Sequence, residues 1–210
     1  MKWIQIAKAF TMATVVALVL RLFLIEDYRI SSDSMMPNLF RGDLILVSKS
    51  AFNLRFPFSS FELARTGKPQ RSQVVAFSVP DHGVDTYIKR IVAIGGDRVE
   101  IKNGALWVND QKADYLPTNA EEQKHLVQEK WSSGVSYPVL APPDTMKDYG
   151  PVDIPADHFF ALGDNRLESL DSRSWGPIPY SCLKGKVSIV WLSVGPAGSI
   201  RPNRWLSAVP

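Results

Sequence analysis

Ser34 and Lys89 are the residues of this chain whose types and settings best suit peptide-bond chemistry. Ser34 lies in SSDSMMPNLFRGDLILV, shortly after an apolar N-terminal stretch, and Lys89 lies in DTYIKRIVAIGGD. A serine hydroxyl attacks an amide only when a neighbouring group takes its proton. The best-placed partner is a lysine rather than a histidine, so the sequence predicts a serine nucleophile with a lysine base.

Lys89 needs a buried setting before it can act as a base. A free lysine has a pKa of roughly 10.4 and is almost wholly protonated at neutral pH. Lowering that pKa by about three units corresponds to about 4 kcal/mol, which desolvation can supply. Ile88 and Ile91 lie next to the lysine in an apolar run, which favours burial of its amine.

Other catalytic arrangements fit the sequence less well. The chain has three histidines, His82, His125 and His158, and no GxSxG segment, so a hydrolase triad lacks its local signature. His158 lies in a strand-like run, which favours a structural role. Ser181 and Lys184 match an SxxK pattern without the SDN and KTG companions of penicillin-interacting enzymes, so we treat that match as chance.

Short runs rich in valine, isoleucine and aromatic residues predict antiparallel β-sheets that position these residues. The runs are DLILVSK, SQVVAFSV, DTYIKRIVAI, DRVEIK, ALWVND, DHFFALGD and GKVSIVWLSV. Asn103-Gly104 joins two of them and predicts a type I′ hairpin, in which both central residues adopt positive φ. The predicted fold class is mostly β.

The segment from about Gln111 to Gly150 differs in composition from these runs. It is polar and charged, contains several prolines, and includes a short predicted helix in AEEQKHLVQEKW. Such a segment between strands is more typical of an excursion from the core than of a second catalytic unit.

The stretch from Trp3 to Ile25 predicts a membrane-spanning helix. As a helix it would be roughly 34 Å long, enough to cross a bilayer, with Lys8 and Arg21 near its ends. A cleaved secretory signal is the alternative. The acidic pair that follows, without a small-residue cleavage site, favours a retained anchor. Basic residues are balanced at the two ends, so the charge count leaves the orientation open.

Composition restricts the remaining classes of function. The chain has 210 residues, 45% of them hydrophobic, which suffices for one substantial core and an anchor. The formal net charge of +3 comes from dispersed basic residues, which argues against nucleic-acid binding. Cys182 is the only cysteine, so an internal disulfide and a multi-cysteine metal site are excluded. We expect no metal or other cofactor.

Three segments together carry a resemblance to a known family. SSDSMMPNLFRGDLILVSK, DTYIKRIVAIGGDRV and ALGDNRLESLDSRSWGPIP follow the apolar stretch in that order. They closely resemble the conserved boxes of type I signal peptidases, from Tyr28 to about Lys102 and from Tyr149 to near Arg204. Each motif alone has a structural explanation, whereas three in order at compatible spacing are far more specific.

The resemblance implies roles for particular residues. Ser34 is implied as the nucleophile, Lys89 as the general base, and Ser32 as a hydroxyl that helps the Ser34 amide to hold the oxyanion. Supporting positions are implied at Ser169, a hydroxyl near the lysine, and at Asp171 and Arg173, an ion pair.

Two shallow substrate pockets are also implied by the resemblance. The matching positions are Tyr28, Ile30, Met35, Leu39, Ala76, Tyr87 and Ile88. Ordinary core packing is an equally good explanation for any one of these side chains.

The resemblance further implies a fold, an activity and a location. The fold is an antiparallel β-sheet catalytic domain at 26–210 behind an anchor at 1–25, with a non-catalytic inserted β/loop subdomain at about 98–155. The activity is that of a membrane-bound serine endopeptidase that removes signal peptides from exported preproteins, which carry small residues before the cleavage site. The location is the bacterial inner membrane, with the lipid bilayer as a partner and the catalytic domain on the periplasmic face.

Two alternatives fit the same segments. A specialised Ser/Lys peptidase that matures a conjugation or pilus protein would keep the dyad and differ in its pockets. An inactive membrane-bound binding module would keep the fold and lose the chemistry. The intact Ser34 and Lys89 argue against the binding module.

Overall fold

The chain folds mostly into β-strands behind one N-terminal helix. The computed structural model describes residues 2–55, 62–80, 83, 85–118, 125–141 and 146–210. The helices are α1 (Lys2–Phe23) and the short α2 (Ser172–Trp175). The strands are β1 (Ile25–Arg29), β2 (Asp43–Ser48), β3 (Asn53–Arg55), β4 (Glu62–Arg65), β5 (Val74–Phe77), β6 (Tyr87–Ile94), β7 (Arg98–Lys102), β8 (Ala105–Val108), β9 (Gln111–Lys112), β10 (Asp114–Pro117), β11 (Leu126–Lys130), β12 (Ser136–Leu140), β13 (Tyr149–Asp153), β14 (His158–Leu162), β15 (Ile178–Pro179), β16 (Leu183–Ser193) and β17 (Ser207–Ala208).

Antiparallel pairing joins the first and last parts of the chain into an eight-stranded sheet. Its order is β1-β2-β16-β5-β6-β14-β15, with β17 paired to β16. The hydrophobic runs of the sequence form β2, β5, β6, β7, β8, β14 and β16, which confirms the mostly β prediction. This sheet carries both the loop that contains Ser34 and the strand that contains Lys89.

The predicted hairpin at Asn103-Gly104 is confirmed. These residues have φ values of 50° and 70°, and Lys102 pairs with Ala105 across the turn. Positive φ at both central positions is the requirement of a type I′ turn, whose twist matches that of the strands it joins.

The segment between β6 and β14 forms two smaller sheets, β13-β7-β8-β9 and β10-β11-β12. The predicted helix in AEEQKHLVQEKW is wrong where the structure describes it, because residues 126–130 form β11. Val127 and Glu129 are buried there, so burial alternates as in a strand. Pairing with β10 and β12 outweighs the helix propensity of the local composition. Residues 119–124 lie outside the described residues.

The buried side chains form three clusters. One joins the inserted strands to the main sheet, for example through Ile101 and Phe160. A second lies beneath the β1–β2 loop and includes Met35 and Leu39. The third contains Phe77, β14 residues and the start of β16. The inserted segment thus shares a continuous core with the strands that carry the candidate site.

Helix α1 is apolar on all sides and projects from the sheets. It is about 33 Å long at 1.5 Å per residue, and its length and composition would allow it to cross a membrane. The side chains of Trp3 and Phe10 are 83% and 75% exposed. Lys49 holds its C-terminal end, because Nζ donates to the carbonyls of Arg21 and Leu22, each at 2.9 Å. A lysine on the last carbonyls of a helix is a favourable cap.

Candidate active site

Ser34 and Lys89 lie next to each other although 55 residues separate them in sequence. Ser34 lies in the loop between β1 and β2, and Lys89 is the third residue of β6. Lys89 Nζ and Ser34 Oγ are 2.6 Å apart, a hydrogen-bonding distance. A nucleophile within hydrogen-bonding reach of a base is the arrangement that covalent catalysis requires.

Lys89 is buried, with 4% of its surface exposed. Burial lowers its pKa from about 10.5 to about 8, because an apolar environment disfavours the ammonium ion. Asp171 and Asp164 act in the opposite direction, while the positive charge of Arg173 lowers the pKa further. An appreciable fraction of the amine is therefore neutral near pH 7 to 8, as a general base must be.

The loop that carries Ser34 is held by a backbone hydrogen bond where it leaves β1 and by buried side chains beneath it. Ile30 N donates to Asp43 O at 2.8 Å, which continues the β1–β2 ladder into the loop. Met35 and Leu39 are 2% and 0% exposed, so their side chains anchor the turn after Ser34 in the core. The serine itself remains partly exposed.

The loop after β14 packs directly against the Ser34 backbone. Asn165 N donates to Ser34 O at 3.0 Å, and Asn165 Nδ2 donates to Asp33 O at 3.3 Å. A Cβ atom at Gly163 would lie 2.5 Å from Ser34 O and would also collide with the Ser169 side chain. Glycine is required at 163 because the backbones approach so closely.

Asp171 and Arg173 form the ion pair that the resemblance implied. Arg173 Nε and Nη2 donate to the two carboxylate oxygens of Asp171, each at 2.8 Å. Burial would raise the pKa of the Asp171 carboxyl, but Arg173 and the Gly163 amide hold it below its usual value. The carboxylate also caps α2. Arg173 Nη1 donates to Arg166 O at 2.7 Å and so ties the pair to the loop.

The two implied supporting serines, Ser32 and Ser169, differ in exposure and in hydrogen bonding. Ser32 Oγ lies 3.2 Å from Ser34 Oγ and is exposed, beside the reacting oxygen. Ser169 Oγ is buried, and its hydroxyl helps to lower the pKa of the Asp171 carboxyl; the implied bond to Lys89 is not formed in this arrangement. The Ser34 amide also has no acceptor among the described residues, which leaves it free for an oxyanion.

The implied pocket residues divide between two clusters. Those beneath the Ser34 loop are Ile30, Met35, Leu39 and Ala76, with Tyr28 and Ile88 packed against them. Tyr87 instead packs in the cluster of Phe77, with its ring 4.6 Å from that of Trp175. Leu39 and Ala76 are fully buried. Because these two side chains are packed in the core, a substrate could contact only the partly exposed members of the set directly.

A buried ion pair behind the dyad was not identified from the sequence. Arg90 Nε and Nη2 donate to the two oxygens of Asp164, both at 2.7 Å, and neither side chain is exposed. Asn38 Nδ2 donates to the same carboxylate at 2.7 Å. The sequence places Arg90 directly after Lys89 and Asp164 in the GDNR segment, so both residues were within the motifs. Nothing in the sequence indicates that the two side chains pair.

The residues of the competing arrangements have other partners. His158 Nδ1 lies 2.9 Å from Ala156 O, as expected for a structural histidine. Lys184 Nζ donates to Thr86 Oγ1 at 2.6 Å, away from the SxxK arrangement. His82 lies outside the described residues.

A protein-family model described as signal peptidase, peptidase S26, matches residues 3–192 of the chain. The chain belongs to this signal peptidase family. As a signal peptidase it is a serine endopeptidase that removes signal peptides from preproteins. The apolar helix α1 at the N-terminus is its membrane anchor.

Sequence comparison with individual signal peptidases gives the same family. The chain is 34% identical over 208 residues to signal peptidase I of Pseudomonas fluorescens, covering 90% of this chain and 72% of that protein. It is 33% identical over 216 residues to signal peptidase I of Pseudomonas aeruginosa, with the same shares covered. A crystal structure of a signal peptidase I from Enterococcus faecalis aligns with a TM-score of 0.36 at 23% identity, over 57% of this chain and 96% of that one.

Proposed function

We propose that this signal peptidase cleaves preproteins with Ser34 as nucleophile and Lys89 as general base. The observation that carries the proposal is the 2.6 Å distance between Ser34 Oγ and the buried Lys89 Nζ. The lowered pKa of that amine, about 8, supports its role as a base near neutral pH.

The reaction follows from these positions. Neutral Lys89 takes the Ser34 proton as Oγ attacks the scissile carbonyl carbon, and a tetrahedral intermediate forms. The Ser34 N–H and the Ser32 hydroxyl donate to its oxyanion. The Lys89 ammonium then gives its proton to the leaving amine, and the peptide C–N bond breaks. A water molecule deprotonated by Lys89 hydrolyses the ester between Ser34 and the signal peptide.

The supporting residues act on the lysine and on the loop behind it. We assign to Asp171 and Arg173 the placement of the 163–166 loop, since their pair contacts Gly163 N and Arg166 O. We assign to the buried Ser169 hydroxyl a hydrogen bond to the Lys89 amine, as the family resemblance implies. It would thereby orient the amine during proton transfer.

Substrate selection is assigned to shallow pockets around β1 and β6. An extended peptide beside these strands would present alternate side chains to the protein. Ile30, Met35, Leu39 and Ala76 would form the floor, and Tyr28, Tyr87 and Ile88 the accessible walls. A floor that is already packed leaves room only for small side chains before the cleavage site.

The anchor places this site close to the bilayer. We divide the chain into an anchor at 1–25 and a catalytic domain at 26–210, with an insertion at about 98–155 that supplies no reacting group. Ser34 follows the last helical residue, Phe23, by 11 positions, so the nucleophile lies near the end of the membrane span. The family function supports a bacterial inner-membrane location with the catalytic domain on the periplasmic face and the lipid bilayer as partner.

The proposal is tested by cleavage of a purified preprotein with the full chain in detergent. Ser34→Ala and Lys89→Ala are each expected to lower kcat/KM by at least about a hundredfold while the protein stays folded. Lys89→Arg is expected to fail too, because guanidinium stays protonated.

Matched controls are Ser133→Ala and Lys112→Ala, at exposed positions of the insertion, which are expected to retain activity. Near wild-type turnover by Ser34→Ala would overturn the assignment. Cleavage of a generic preprotein separates a general signal peptidase from the specialised alternative that matures a conjugation or pilus protein.

A further inference from the structure

Two fully buried arginines lie behind the dyad. Arg90 directly follows Lys89 on β6, and Arg166 ends the loop that begins with Gly163. Both side chains have 0% exposure. Arg90 is bound through both arms of its guanidinium to Asp164. Arg90 therefore connects the strand of the base to the loop that contacts the nucleophile.

The β11–β12 hairpin of the insertion contacts both arginines, in addition to the bonds that Arg90 donates to Asp164, Ser72 O and Pro210 O. Glu129 Oε2 lies 2.5 Å from Arg166 Nη1. The Tyr137 ring lies under Arg90, with 4.0 Å between the guanidinium carbon and the ring centroid. The Tyr137 hydroxyl donates to Glu129 Oε1 at 2.7 Å and so joins the two contacts. Both hairpin residues are buried.

The backbone of the same hairpin also reaches the catalytic loops. Leu140 N donates to Asp164 O, and Arg166 N donates to Leu140 O, each at 2.9 Å. Asn38, four residues after Ser34, donates from Nδ2 to Pro138 O at 2.8 Å. The end of β12 therefore contacts both the 163–166 loop and the loop of the nucleophile.

Stability alone is a poor explanation for this network. Removing ions from water costs several kcal/mol each, and replacing buried ion pairs by apolar side chains is often neutral or stabilising. What charged pairs and bidentate contacts do provide is a defined geometry. In this molecule these contacts fix the position of Arg90, next to Lys89, and of the 163–166 loop, which contacts Ser34.

We propose that the β11–β12 hairpin is a positioning element for the dyad, acting through Arg90 and Arg166. This inference rests on the proposed roles of Ser34 and Lys89. The insertion then does more than extend the fold: it determines how closely the base and the nucleophile approach.

The test uses the full chain in detergent with a soluble signal-peptide substrate, and measures kcat, KM and the pH dependence of kcat/KM. Tyr137→Phe keeps the ring and loses the bond to Glu129, and is expected to lower kcat severalfold. Tyr137→Leu also removes the ring beneath Arg90, and is expected to lower kcat about tenfold or more with little change in KM, since small misplacements of reacting groups are costly.

The pH profile separates positioning from loss of folded protein. The charged groups acting on Lys89 are Asp171, Asp164 and Arg173. When Arg90 is held less firmly on Asp164, that carboxylate raises the pKa of Lys89 more strongly. The acidic limb of the kcat/KM profile of Tyr137→Leu, which lacks the ring beneath Arg90, should therefore move to higher pH. A purely structural role would scale activity equally at all pH values.

Val139→Ala is the matched control, because Val139 is buried in the same hairpin and contributes no group to the arginines. It should lower the thermal midpoint and leave kcat and the acidic limb unchanged. Wild-type kcat in Tyr137→Phe would overturn the inference, whether or not Tyr137→Leu folds. Lys89→Ala in the same series isolates the premise: if it stays active, the dyad itself is wrong.

Discussion

At the scale of single residues, the site depends on the burial of one lysine. Lys89 is 4% exposed, and burial lowers its pKa to about 8. The charge of Asp171 raises the pKa of Lys89 and the charge of Arg173 lowers it, so a change in either residue should shift that pKa. A base with a pKa near the working pH combines a useful neutral fraction with adequate basicity.

The pH dependence of the wild-type enzyme follows from this pKa. Lys89 must be neutral to accept the Ser34 proton, so kcat/KM should rise about tenfold per pH unit below a pKa of about 8 and level off above it. Arg173→Gln removes a charge that lowers the pKa and leaves Asp171 less neutralised, and both effects raise the pKa of Lys89. The acidic limb should move to higher pH.

The measurement is kcat/KM across pH 5 to 10 on a soluble peptide, with circular dichroism to verify folding. Asp171→Asn removes a charge that raises the Lys89 pKa, so its limb should move to lower pH. The same direction of shift in both variants would contradict the electrostatic account.

At the scale of elements, the site is assembled where separate segments meet. The β1–β2 loop supplies Ser34, β6 supplies Lys89, and the loop after β14 contacts the Ser34 carbonyl through Asn165. Gly163 permits that contact because it has no side chain to fill the gap. The cluster beneath the Ser34 loop, including Met35 and Leu39, then defines the space next to Ser34.

A substrate series tests whether this space selects small side chains. Phenylalanine at the residue before the cut, or two positions earlier, should lower kcat/KM about tenfold or more, because overpacking costs roughly 1 to 3 kcal/mol. Phenylalanine at the position between them should matter little, since alternate side chains of an extended peptide point away from the protein. The three preproteins are compared under identical detergent conditions. Equal tolerance at all three positions would show that the pocket assignment is wrong.

At the scale of the whole molecule, helix α1 and the catalytic sheets are directly connected. Helix α1 ends at Phe23 and β1 begins at Ile25. The Lys49 cap holds the helix end against the residues that follow β2. The anchor therefore tethers the dyad near the bilayer, and tethering raises the effective concentration of a membrane-bound substrate.

Removal of residues 2–23 tests that role. The remaining domain should fold, because the three core clusters of the described residues include none from α1. It should cleave a soluble peptide near the wild-type rate but a vesicle-inserted preprotein about a hundredfold more slowly. Fusion to an unrelated apolar helix should restore much of the second activity. Equal losses on both substrates would mean that the helix acts on the site itself.

The sequence by itself determined the local elements and pointed to the reacting pair. Alternation with period 2 predicts strands such as β7, and Asn103-Gly104 predicts its hairpin, because these depend on short-range sterics. The roles of Ser34 and Lys89 came from motif resemblance, and the structure brings the two residues together. The helix expected within 120–131 was wrong because pairing with neighbouring strands outweighed local propensity.

Only the tertiary structure decided which distant side chains meet. Arg90 and Asp164 are 74 residues apart in sequence. Glu129 lies in β11, whereas Arg166 lies in the loop after β14. No local sequence pattern therefore indicates either pairing. The same holds for the division of the pocket residues, in which Tyr87 packs with Trp175 instead of beneath the Ser34 loop. Sequence periodicity specifies the face of a strand, whereas the partner on that face depends on sheet order and register, which long-range packing selects.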